Sequence, residues 1–409
     1  MKILLINPSN PLFKENFSPF SINSLSLPVL ASLTPSDFHV KILDEEMEEI
    51  NFKEDVNLVG ISFMTHQAPK AYEISERFRD KRIKTILGGI HPTVLPEEAL
   101  AHADSICIGE AEEVWQEILD DLKMGKLKRI YKGNSYANLE GLPFPRLDLL
   151  KRESIFTPIY TSRGCPFRCE FCCVNKFYGS RFRLRPIEEV MEEIRFRKIE
   201  KMDKTGWLGS SSPIFVFLDD NICGKRDYAI SLFKNLINFR VKWVAQTTLN
   251  IAKDEDLLKL MKESGCLSLA VGIESINQEN LSSIKKYFLR VSDFSESIKK
   301  IKENGIHVIL YFIFGFENDD ESVFENTLQF LIKNNCPSAI FNILVPLPGT
   351  EIYKIMVKEN RIIEKNWAKY TGEYVVFKPR LLSPEKLQEG FDFVRKEYKK
   401  IRKEVSWEA

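Results

Sequence analysis

The sequence lacks both a charge bias and a long hydrophobic run. Lysine plus arginine and aspartate plus glutamate number 58 each, so no overall electrostatic attraction to nucleic acid is expected. No stretch approaches the roughly 20 consecutive apolar residues that a transmembrane helix needs. The amino-terminal run MKILLINPSN is too short for a signal segment and predicts a first buried strand. We therefore expect a globular, cytoplasmic protein without a membrane span.

Cysteine is scarce outside one loop. The chain has eight cysteines, and four of them lie within the stretch TSRGCPFRCEFCC at residues 161–173. Cys165, Cys169 and Cys172 follow a C-x3-C-x2-C spacing, with Cys173 adjacent. In a reducing compartment, clustered cysteines favour metal ligation or redox chemistry over disulfides. The other four are scattered without a second ligand spacing, so we expect no auxiliary cluster.

Two kinds of metal site are compatible with this loop. A structural zinc needs a fourth protein ligand; no histidine is near in sequence, although Cys173 or a distant cysteine could serve. A [4Fe-4S] cluster held by three thiolates explains the spacing better, because one iron then stays open for a substrate or cofactor. The spacing therefore favours the iron-sulfur cluster, with zinc and inert cysteines as alternatives.

The first third of the chain alternates short apolar runs with helical periods, which indicates βαβ units and a parallel sheet. The predicted strands are residues 3–8, 39–46, 58–64, 85–92 and 103–110, and the predicted helices are 24–33, 68–80 and 111–123. Ligands of such sheets bind outside the carboxyl ends of the strands. The candidate binding residues at these ends are Ser62, Thr65, His66, Gly88, Gly89, His91, Gly109 and Glu110. Glycine pairs there are equally compatible with a bound ligand and with tight turns.

A second alternating run predicts six strand-helix repeats, two short of a complete eightfold barrel. The predicted strands are residues 158–164, 214–221, 242–248, 267–275, 307–316 and 339–350. The predicted helices are residues 186–200, 226–238, 253–263, pieces up to 304, and 321–333. A partial (β/α)6 barrel would leave a lateral opening for a large substrate. The sequence thus predicts an α/β protein with a Rossmann-like domain (1–125), a linker (126–156), a barrel (157–350) and a short helical carboxy-terminal region (351–409).

These motifs resemble a known family. CPFRCEFC, directly after the first barrel strand, is similar to the signature of the radical S-adenosylmethionine (SAM) superfamily. GISFMTHQ, LGGIHPTVLPEEAL and ICIGEAEEVW resemble the cobalamin-binding domain that precedes the barrel in one large subgroup. FLDDNI, VGIESI, FIFGFENDD and PLPGT resemble the branch that contains the hopanoid methylases. The resemblance covers nearly the whole chain.

The resemblance implies roles for particular residues. Cys165, Cys169 and Cys172 would hold three irons, and the fourth iron would bind the amino and carboxylate groups of SAM. The residues expected to contact SAM are Phe171 and Gly315 at the adenine, Asp219, Asp220 and Asn221 at the methionyl ammonium, and Glu274 with Gln246 at the ribose hydroxyls. For the acidic residues, a solvated loop or a helix cap is the alternative.

The cobalt ligand is not marked in the sequence. The motif D-x-H-x-x-G, whose histidine ligates cobalt in other enzymes, does not occur, so the lower axial face has no assigned ligand. His66 and His91 end predicted strands, but histidines in such positions are more often hydrogen-bonded than metal-bound. The segment NKFYGSRFRLR (175–185) could bind single-stranded nucleic acid, although its place after the cysteine loop favours framing the active site.

Three functions remain open from the sequence. The first is a cobalamin-dependent methyltransferase, in which SAM is cleaved to methionine and a 5'-deoxyadenosyl radical that activates an unactivated carbon of an apolar or lipid-like metabolite. The second is a radical cyclisation, rearrangement or oxidation on the same architecture. The third is a non-enzymatic iron-sulfur protein, which would need neither the open iron nor the barrel. The family implies a reduced ferredoxin or flavodoxin as electron donor.

Overall fold

The computed structural model describes residues 1–12, 22, 24–134, 136–151, 154–179, 181–205, 213–336 and 338–404. Within these ranges the chain forms two six-stranded sheets, which we name sheet A and sheet B, and one two-stranded sheet. No helix within the described ranges is both long and apolar enough to cross a bilayer.

Sheet A is the Rossmann-like sheet, and all its strands are parallel. Its strands are β1 (Lys2–Asn7), β2 (His39–Asp44), β3 (Leu58–Ser62), β4 (Lys84–Gly88), β5 (Ser105–Ile108) and β6 (Ile130–Lys132). The helices around it are α1 (Ser26–Ser32), α2 (Ala68–Arg79), α3 (Ile90–Val94), α4 (Pro96–Ala101) and α5 (Trp115–Lys123). The strand order is β2-β1-β3-β4-β5-β6. The second strand therefore lies on one side of β1, and all later strands lie on the other side, so the order of the strands reverses at β1. Crevices for ligands form at such a reversal point, at the carboxyl ends of the strands.

One part of the predicted linker at residues 126–156 belongs to a sheet. Ile130–Lys132 pairs in parallel with β5 and completes sheet A at its edge. The strand is three residues long, and only Tyr131 is buried, so it is too short to show a period of two. This segment of the predicted linker is therefore corrected to an edge strand.

Sheet B is the predicted partial barrel. Its parallel strands are β7 (Phe156–Ile159), β10 (Ile214–Phe217), β11 (Lys242–Thr247), β12 (Cys266–Glu274), β13 (His307–Phe314) and β14 (Ala339–Ile343). The surrounding helices are α6 (Val174–Phe177), α7 (Ile187–Thr205), α8 (Arg226–Phe239), α9 (Glu255–Glu263), α10 (Gln278–Ser283), α11 (Phe294–Glu303) and α12 (Ser322–Lys333). The strand order is β7-β10-β11-β12-β13-β14, which confirms the (β/α)6 architecture. The separate two-stranded sheet consists of β8 (Ser162–Arg163) and β9 (Arg183–Leu184).

Side chains alternate between the two faces of the barrel strands. In β13, Val308, Leu310 and Phe312 are buried in the core that includes the helices α11 and α12. Ile309 and Tyr311, one position out of phase, are only half-buried. Because successive strand residues point to opposite faces, these half-buried residues face the interior of the barrel.

The carboxy-terminal region packs against both sheets' domains. It contains α13 (Glu351–Lys358) and α14 (Pro384–Glu404). Phe391 and Val394 of α14 are buried in the barrel core. Further upstream, the indole N–H of Trp367 donates to the Glu98 carboxylate at 2.8 Å. This region therefore connects the barrel to the amino-terminal domain.

A candidate cofactor site between the two sheets

A cavity lies between sheet A and the barrel. Its volume is about 320 Å³, at the lower end of the roughly 300–1,000 Å³ of small-ligand pockets. One wall is the carboxyl edge and one face of sheet A. The opposite wall belongs to the barrel and includes Tyr160, Ser162, Tyr178 and Asp220. The cavity is therefore a ligand-sized space whose walls come from both domains.

The sheet A wall is kept open by small residues. Ser62, Gly88, Gly89 and Gly109 all line the cavity at the ends of β3, β4 and β5. Gly89 has a φ of +100°, and a Cβ there would lie 2.7 Å from the backbone oxygen of Phe63, so this turn requires glycine. Gly109 has open space where a Cβ would stand. Backbone and ligand can approach each other closely along this edge.

The cavity extends along one face of sheet A. Leu5, Gly60, Ile86 and Cys107 line it from the strands, and Trp115 lines it from α5. A Cβ at Gly60 would stand 2.9 Å from the Leu5 Cδ2 atom, so a side chain there would narrow the slot. This slot, with glycine at its floor and apolar side chains around it, can admit an apolar group.

The cysteine loop is anchored at its base. It leaves β8 (Ser162–Arg163) and returns at β9 (Arg183–Leu184), which pair in antiparallel fashion. Gly164 has a φ of +92°, and a Cβ there would stand 2.3 Å from the Arg181 backbone oxygen. The Gly164 N–H donates to the Asp220 carboxylate at 3.0 Å. The loop is thereby fixed to the end of β10, beside the cavity.

The donor set of the loop fits an iron-sulfur cluster better than zinc. Cys165, Cys169 and Cys172 are free thiols of intermediate exposure, and burial raises the pKa of Cys165 to about 11. Among the described residues, no three His, Cys, Asp or Glu side chains converge on a single metal-ion position. A tetrahedral zinc would require such convergence, whereas the thiolates of a [4Fe-4S] cluster bind different irons and stand farther apart. Metal binding would also supply the positive charge that deprotonates these buried thiols.

The adjacent residues Asp219 and Asp220 face different surroundings. The Asp219 carboxylate is fully buried and accepts hydrogen bonds from the Thr161 hydroxyl at 2.7 Å and the Ser162 hydroxyl at 2.5 Å. It does not line the cavity. Asp220 does, and burial raises its pKa to about 6. The structure therefore places Asp219 as a link between the ends of β7 and β10, and Asp220 at the cavity.

Asn221 also acts within the barrel wall. Its side-chain oxygen accepts from the Thr247 hydroxyl at 3.0 Å and from the Cys223 N–H at 3.2 Å. Neither Asn221 nor Gln246 lines the cavity, although the Gln246 side chain is exposed at the end of β11. Asn221 consequently ties β10 to β11, and Gln246 is available to a ligand from a different side.

Glu274 forms a buried ion pair that the sequence did not suggest. It has a φ of +62° where the pairing of β12 with β13 shifts by one residue. Its carboxylate accepts from the Lys286 ammonium at 2.6 Å, and the same ammonium donates to the Gly272 carbonyl at 2.7 Å. Lys286 is only 5% exposed. After burial, the nearby charges of Lys286 and Glu274 are the main influences on the Cys169 thiol, whose pKa is raised overall.

Phe171 and Gly315 both lie near the end of β13. The Phe171 ring stands edge-on to Phe316, with 6.3 Å between ring centroids. Gly315 has a φ of +100°, and a Cβ there would lie within 3 Å of the Phe377 and Leu387 side chains. Its N–H donates to the Asp319 carboxylate at 2.8 Å. Gly315 thus allows the carboxy-terminal region to pack on β13, while Phe171 approaches the same strand end from the cysteine loop.

Glu110 joins the two domains at the base of the cysteine loop. One carboxylate oxygen accepts from Arg163 of β8 at 2.6 Å, and the other pairs with Arg183 of β9 at 2.8 Å. Arg163 also pairs with Glu112 at 2.6 Å. These side chains are largely buried. The end of β5 and the cysteine loop are therefore held in a fixed relation. Two of the three arginines of residues 175–185, Arg183 and Arg185, serve internal pairs.

Neither predicted histidine lines the cavity. His91 is fully buried, and its Nε2 atom lies 3.0 Å from the Tyr72 hydroxyl and 3.3 Å from the Glu98 carboxylate. His66 contacts the Asn10 side-chain amide at 3.3 Å, and burial lowers its pKa. Thr65, which begins a short 3-10 helix, is buried and also lies outside the cavity wall. These residues shape the domain rather than the cavity surface.

These features define a class of protein. A Rossmann-like domain opens its glycine-rich edge on the same cavity that a barrel approaches with a three-cysteine loop. This is the arrangement of a radical SAM barrel preceded by a domain for a second, large cofactor. Comparison with known proteins gives the family.

Two family matches fall on the two domains of the structure, one on each. Residues 159–331 match the Radical SAM superfamily, and residues 27–119 match the B12 binding domain. The bacteriochlorophyllide d C-12(1)-methyltransferase of Chlorobaculum tepidum is 31% identical over 405 residues, covering 97% of this chain and 87% of that protein. The chain belongs to the radical SAM enzymes that carry a B12-binding domain.

Other similarities agree with this assignment. The hopanoid C-2 methylase of Rhodopseudomonas palustris is 26% identical, over 84% of this chain and 64% of that protein. The radical SAM methyltransferase TsrM of Kitasatospora setae, solved with cobalamin and a [4Fe-4S] cluster, superposes with a TM-score of 0.68 at 17% identity, covering 95% of this chain and 85% of that one. The predicted family, fold class and enzyme class are confirmed, and so, at the level of the family, is the cofactor set of a [4Fe-4S] cluster, SAM and cobalamin.

Proposed function

We propose that this chain transfers a methyl group to an unactivated carbon of an apolar or lipid-like metabolite, as a cobalamin-dependent radical SAM methyltransferase. The observation that carries the proposal is the single cavity bounded by the glycine edge of sheet A and by Asp220 beside the cysteine loop. A cofactor bound on sheet A would thus be presented to the reacting centre in the barrel.

Cys165, Cys169 and Cys172 would hold the cluster. Asp220 is the better candidate for the methionyl ammonium of SAM, because Asp219 already accepts several hydrogen bonds inside the wall. The Lys286 ammonium, held by Glu274, would place positive charge near the SAM carboxylate, and Phe171 would contact the adenine. Charge-assisted hydrogen bonds of this kind are the strong ones.

Ser62, Gly88, Gly89 and Gly109 would contact cobalamin, and Gly60 would leave space for its apolar part. No histidine of the described residues lines the cavity, so we infer that cobalamin bound there would receive no imidazole from this chain. Glu110 would act indirectly, because both its carboxylate oxygens bind arginines that anchor the cysteine loop.

When bound, these cofactors would supply the electron that cleaves SAM and the methyl group that is transferred. The chain's own residues position and shield them. The interior face of β13 offers Ile309, Tyr311 and Ile313, a mostly apolar surface that suits an apolar substrate. Burial raises the pKa of Tyr311, so its phenol stays protonated and can donate a hydrogen bond.

The test is methyl transfer from isotopically labelled SAM. Anaerobically reconstituted protein would be supplied with hydroxocobalamin, a chemical reductant and candidate acceptors, which include bacteriochlorophyllide d because the Chlorobaculum relative is named for it. We expect labelled methyl in an apolar product. Production of 5'-deoxyadenosine without any methyl transfer would contradict the proposal and favour radical cyclisation, rearrangement or oxidation. Absence of SAM cleavage would favour an iron-sulfur protein without this enzymatic activity.

A further inference from the structure

The barrel has a second end, away from the cofactor cavity. All strands of sheet B are parallel, so they begin at one end of the barrel, and the helices between them run back to that end. We name six exposed residues of this end the barrel rim: Ile155, Arg240, Lys242, Ile332, Lys333 and Ile340. None of them lines the cofactor cavity, so the barrel rim is separate from the site described above.

Hydrogen bonds tie neighbouring loops together at this end. Three lysines of α7, α9 and α11 donate to main-chain carbonyls: Lys198 to Phe239 at 2.7 Å, Lys262 to Gly305 at 2.6 Å and Lys302 to Asn335 at 2.8 Å. A lysine that binds a neutral carbonyl keeps its full positive charge. The loops therefore form a connected surface that carries cations.

Positive charge predominates on these loops. The last two residues of α8, α9, α11 and α12, with the connections to the first residues of the following strands, contain five cations and two carboxylates. The cations are Arg240, Lys242, Lys262, Lys302 and Lys333, and the carboxylates are Glu263 and Glu303. Within the part of the chain that the structure describes, none of the five cations forms an ion pair. This surface is therefore basic, on a chain whose net charge is zero.

Exposed isoleucines lie among these cations. Ile332 precedes Lys333 and is 49% exposed. Ile155 precedes β7 and Ile340 lies in β14, and they are 41% and 40% exposed. These two strands are the edges of sheet B and do not pair with each other. Because Phe341 is buried in the core, Ile340 points to the barrel interior, and its exposure shows that the interior is accessible beside β14.

We propose that the barrel rim docks on an anionic lipid surface, so that an apolar substrate reaches the barrel interior directly from the membrane. Cations next to such a surface are attracted by the anionic headgroups, and exposed isoleucines gain free energy by leaving water for the acyl boundary. Sites for single-stranded nucleic acid instead combine cations with aromatic side chains, which the barrel rim lacks. The inference rests on the proposed function for the apolar substrate alone, since docking needs neither the cluster nor cobalamin.

The test is co-sedimentation of the full chain with lipid vesicles. One set of vesicles contains phosphatidylcholine and phosphatidylglycerol in equal amounts, and the other contains phosphatidylcholine alone. The rim variant combines Arg240→Gln, Lys242→Gln and Lys333→Gln, which removes three positive charges from the barrel rim without adding a negative one.

A matched control removes the same charge from the sheet A domain. It combines Lys53→Gln, Arg82→Gln and Lys126→Gln, three exposed cations that also lack an ion-pair partner among the described residues. Arg82 and Arg240 both have a positive φ, of 61° and 49°. The two triple variants therefore change the net charge equally and each alter one left-handed position.

We expect the wild-type chain to bind the anionic vesicles, to leave them as salt is raised, and to bind phosphatidylcholine weakly. The rim variant should bind the anionic vesicles roughly tenfold to a hundredfold more weakly than wild type, and the control should bind as wild type does. Equal binding by the rim variant and wild type would overturn the proposal. An equal loss in the control would also overturn it, because net charge rather than the barrel rim would then decide binding.

An oligonucleotide arm separates a lipid surface from nucleic acid. If wild type bound a single-stranded oligonucleotide and not the anionic vesicles, the basic face would be assigned to nucleic acid and the proposal would fail. Vesicle binding is measured without SAM or an acceptor. Failure of methyl transfer from labelled SAM would therefore leave the docking surface standing, and failure of vesicle binding would leave the methyltransferase proposal standing.

Discussion

The two walls of the cofactor cavity differ in the size and charge of the residues that line them. Sheet A presents Ser62, Gly88 and Gly109, which are small and uncharged. The barrel presents a half-buried carboxylate at Asp220, and a buried ion pair of Glu274 with Lys286 lies near the cysteine loop. The difference matches two kinds of ligand. A large cofactor needs space and backbone contacts, whereas a small zwitterion needs fixed charges.

The charges on the barrel side stay buried because each has a partner. Asp219 accepts hydrogen bonds from Thr161 and Ser162, and Lys286 is held between Glu274 and a backbone carbonyl. An isolated buried charge would cost several kcal/mol. On the sheet A side, Glu110 is buried too, and it is paired with Arg163 and Arg183. Substitutions that leave these pairs intact should therefore affect each wall separately, which the following experiments test.

The largest effect is expected from removing a cluster ligand. Cys169→Ala should lower the iron content strongly and reduce SAM cleavage roughly 1,000-fold or more, because the reaction depends on the cofactor. Cobalamin binding should remain near that of wild type. Cys173→Ser is the control, since Cys173 is not an expected ligand. Iron analysis and cobalamin titration check both points, and loss of cobalamin in Cys169→Ala would show that the walls are not independent.

The second experiment adds a side chain to the sheet A wall, where cobalamin is proposed to bind. Gly88→Leu places a side chain in the cavity without backbone strain, because a Cβ there would stand 3.8 Å from the nearest atom, the Cys107 Cβ. We expect cobalamin affinity to fall roughly 10- to 100-fold, with iron content unchanged. Gly88→Ala, which adds one methyl group, should retain most of the affinity. Unchanged cobalamin binding in Gly88→Leu would place the cofactor elsewhere.

Breaking the buried pair should affect both stability and SAM binding. Lys286→Met leaves the Glu274 carboxylate uncompensated, so the free energy of unfolding should fall by about 3 kcal/mol. SAM should bind roughly 10- to 100-fold more weakly. Adding Glu274→Gln to this variant should restore most of the stability but not the affinity, and Lys286→Arg should recover part of the affinity. If SAM bound to the variant with both Lys286→Met and Glu274→Gln as tightly as to wild type, Lys286 would have a structural role only.

A smaller effect concerns pH and the far end of β13. Burial raises the pKa of Asp319 from its ordinary value of 3.8 to about 6. Between these values the folded protein binds more protons than the unfolded one, so this group makes the free energy of unfolding fall as the pH rises from about 4 to about 6. Asp319→Asn should remove that component, measured by denaturant titration across this range. If the free energy of unfolding changed with pH equally in the variant and in wild type, this prediction would be contradicted.

Much of the architecture follows from periodicity in the sequence. The apolar runs predict every strand of sheet B and five of the six strands of sheet A. The exception, Ile130–Lys132, is too short to show a period and depends on pairing with β5. The first residue of each of these predicted strands lies within two residues of the observed one, whereas the predicted ends run past the observed ends by up to seven residues, as at β14. The cysteine spacing predicts the loop without help from tertiary structure.

Side-chain directions at the site could not be predicted in the same way. Asp219 and Asp220 are adjacent and chemically identical, yet only one lines the cavity. Lys286 gave no signal, because lysine is ordinarily exposed, whereas here it is buried in a pair with Glu274, at the shift in the pairing of β12 with β13. Likewise, the contact of Glu98 with Trp367 joins residues 269 positions apart. These features arise from tertiary packing.

The central claim is that one cavity serves two cofactors. The most direct measurement is the iron and cobalt content of anaerobically reconstituted protein, with absorption spectra recorded with and without added hydroxocobalamin. The account predicts about four irons for one [4Fe-4S] cluster, together with one tightly retained cobalamin whose spectrum indicates no imidazole ligand. Four irons without retained cobalamin would contradict it and remove methylcobalamin from the mechanism.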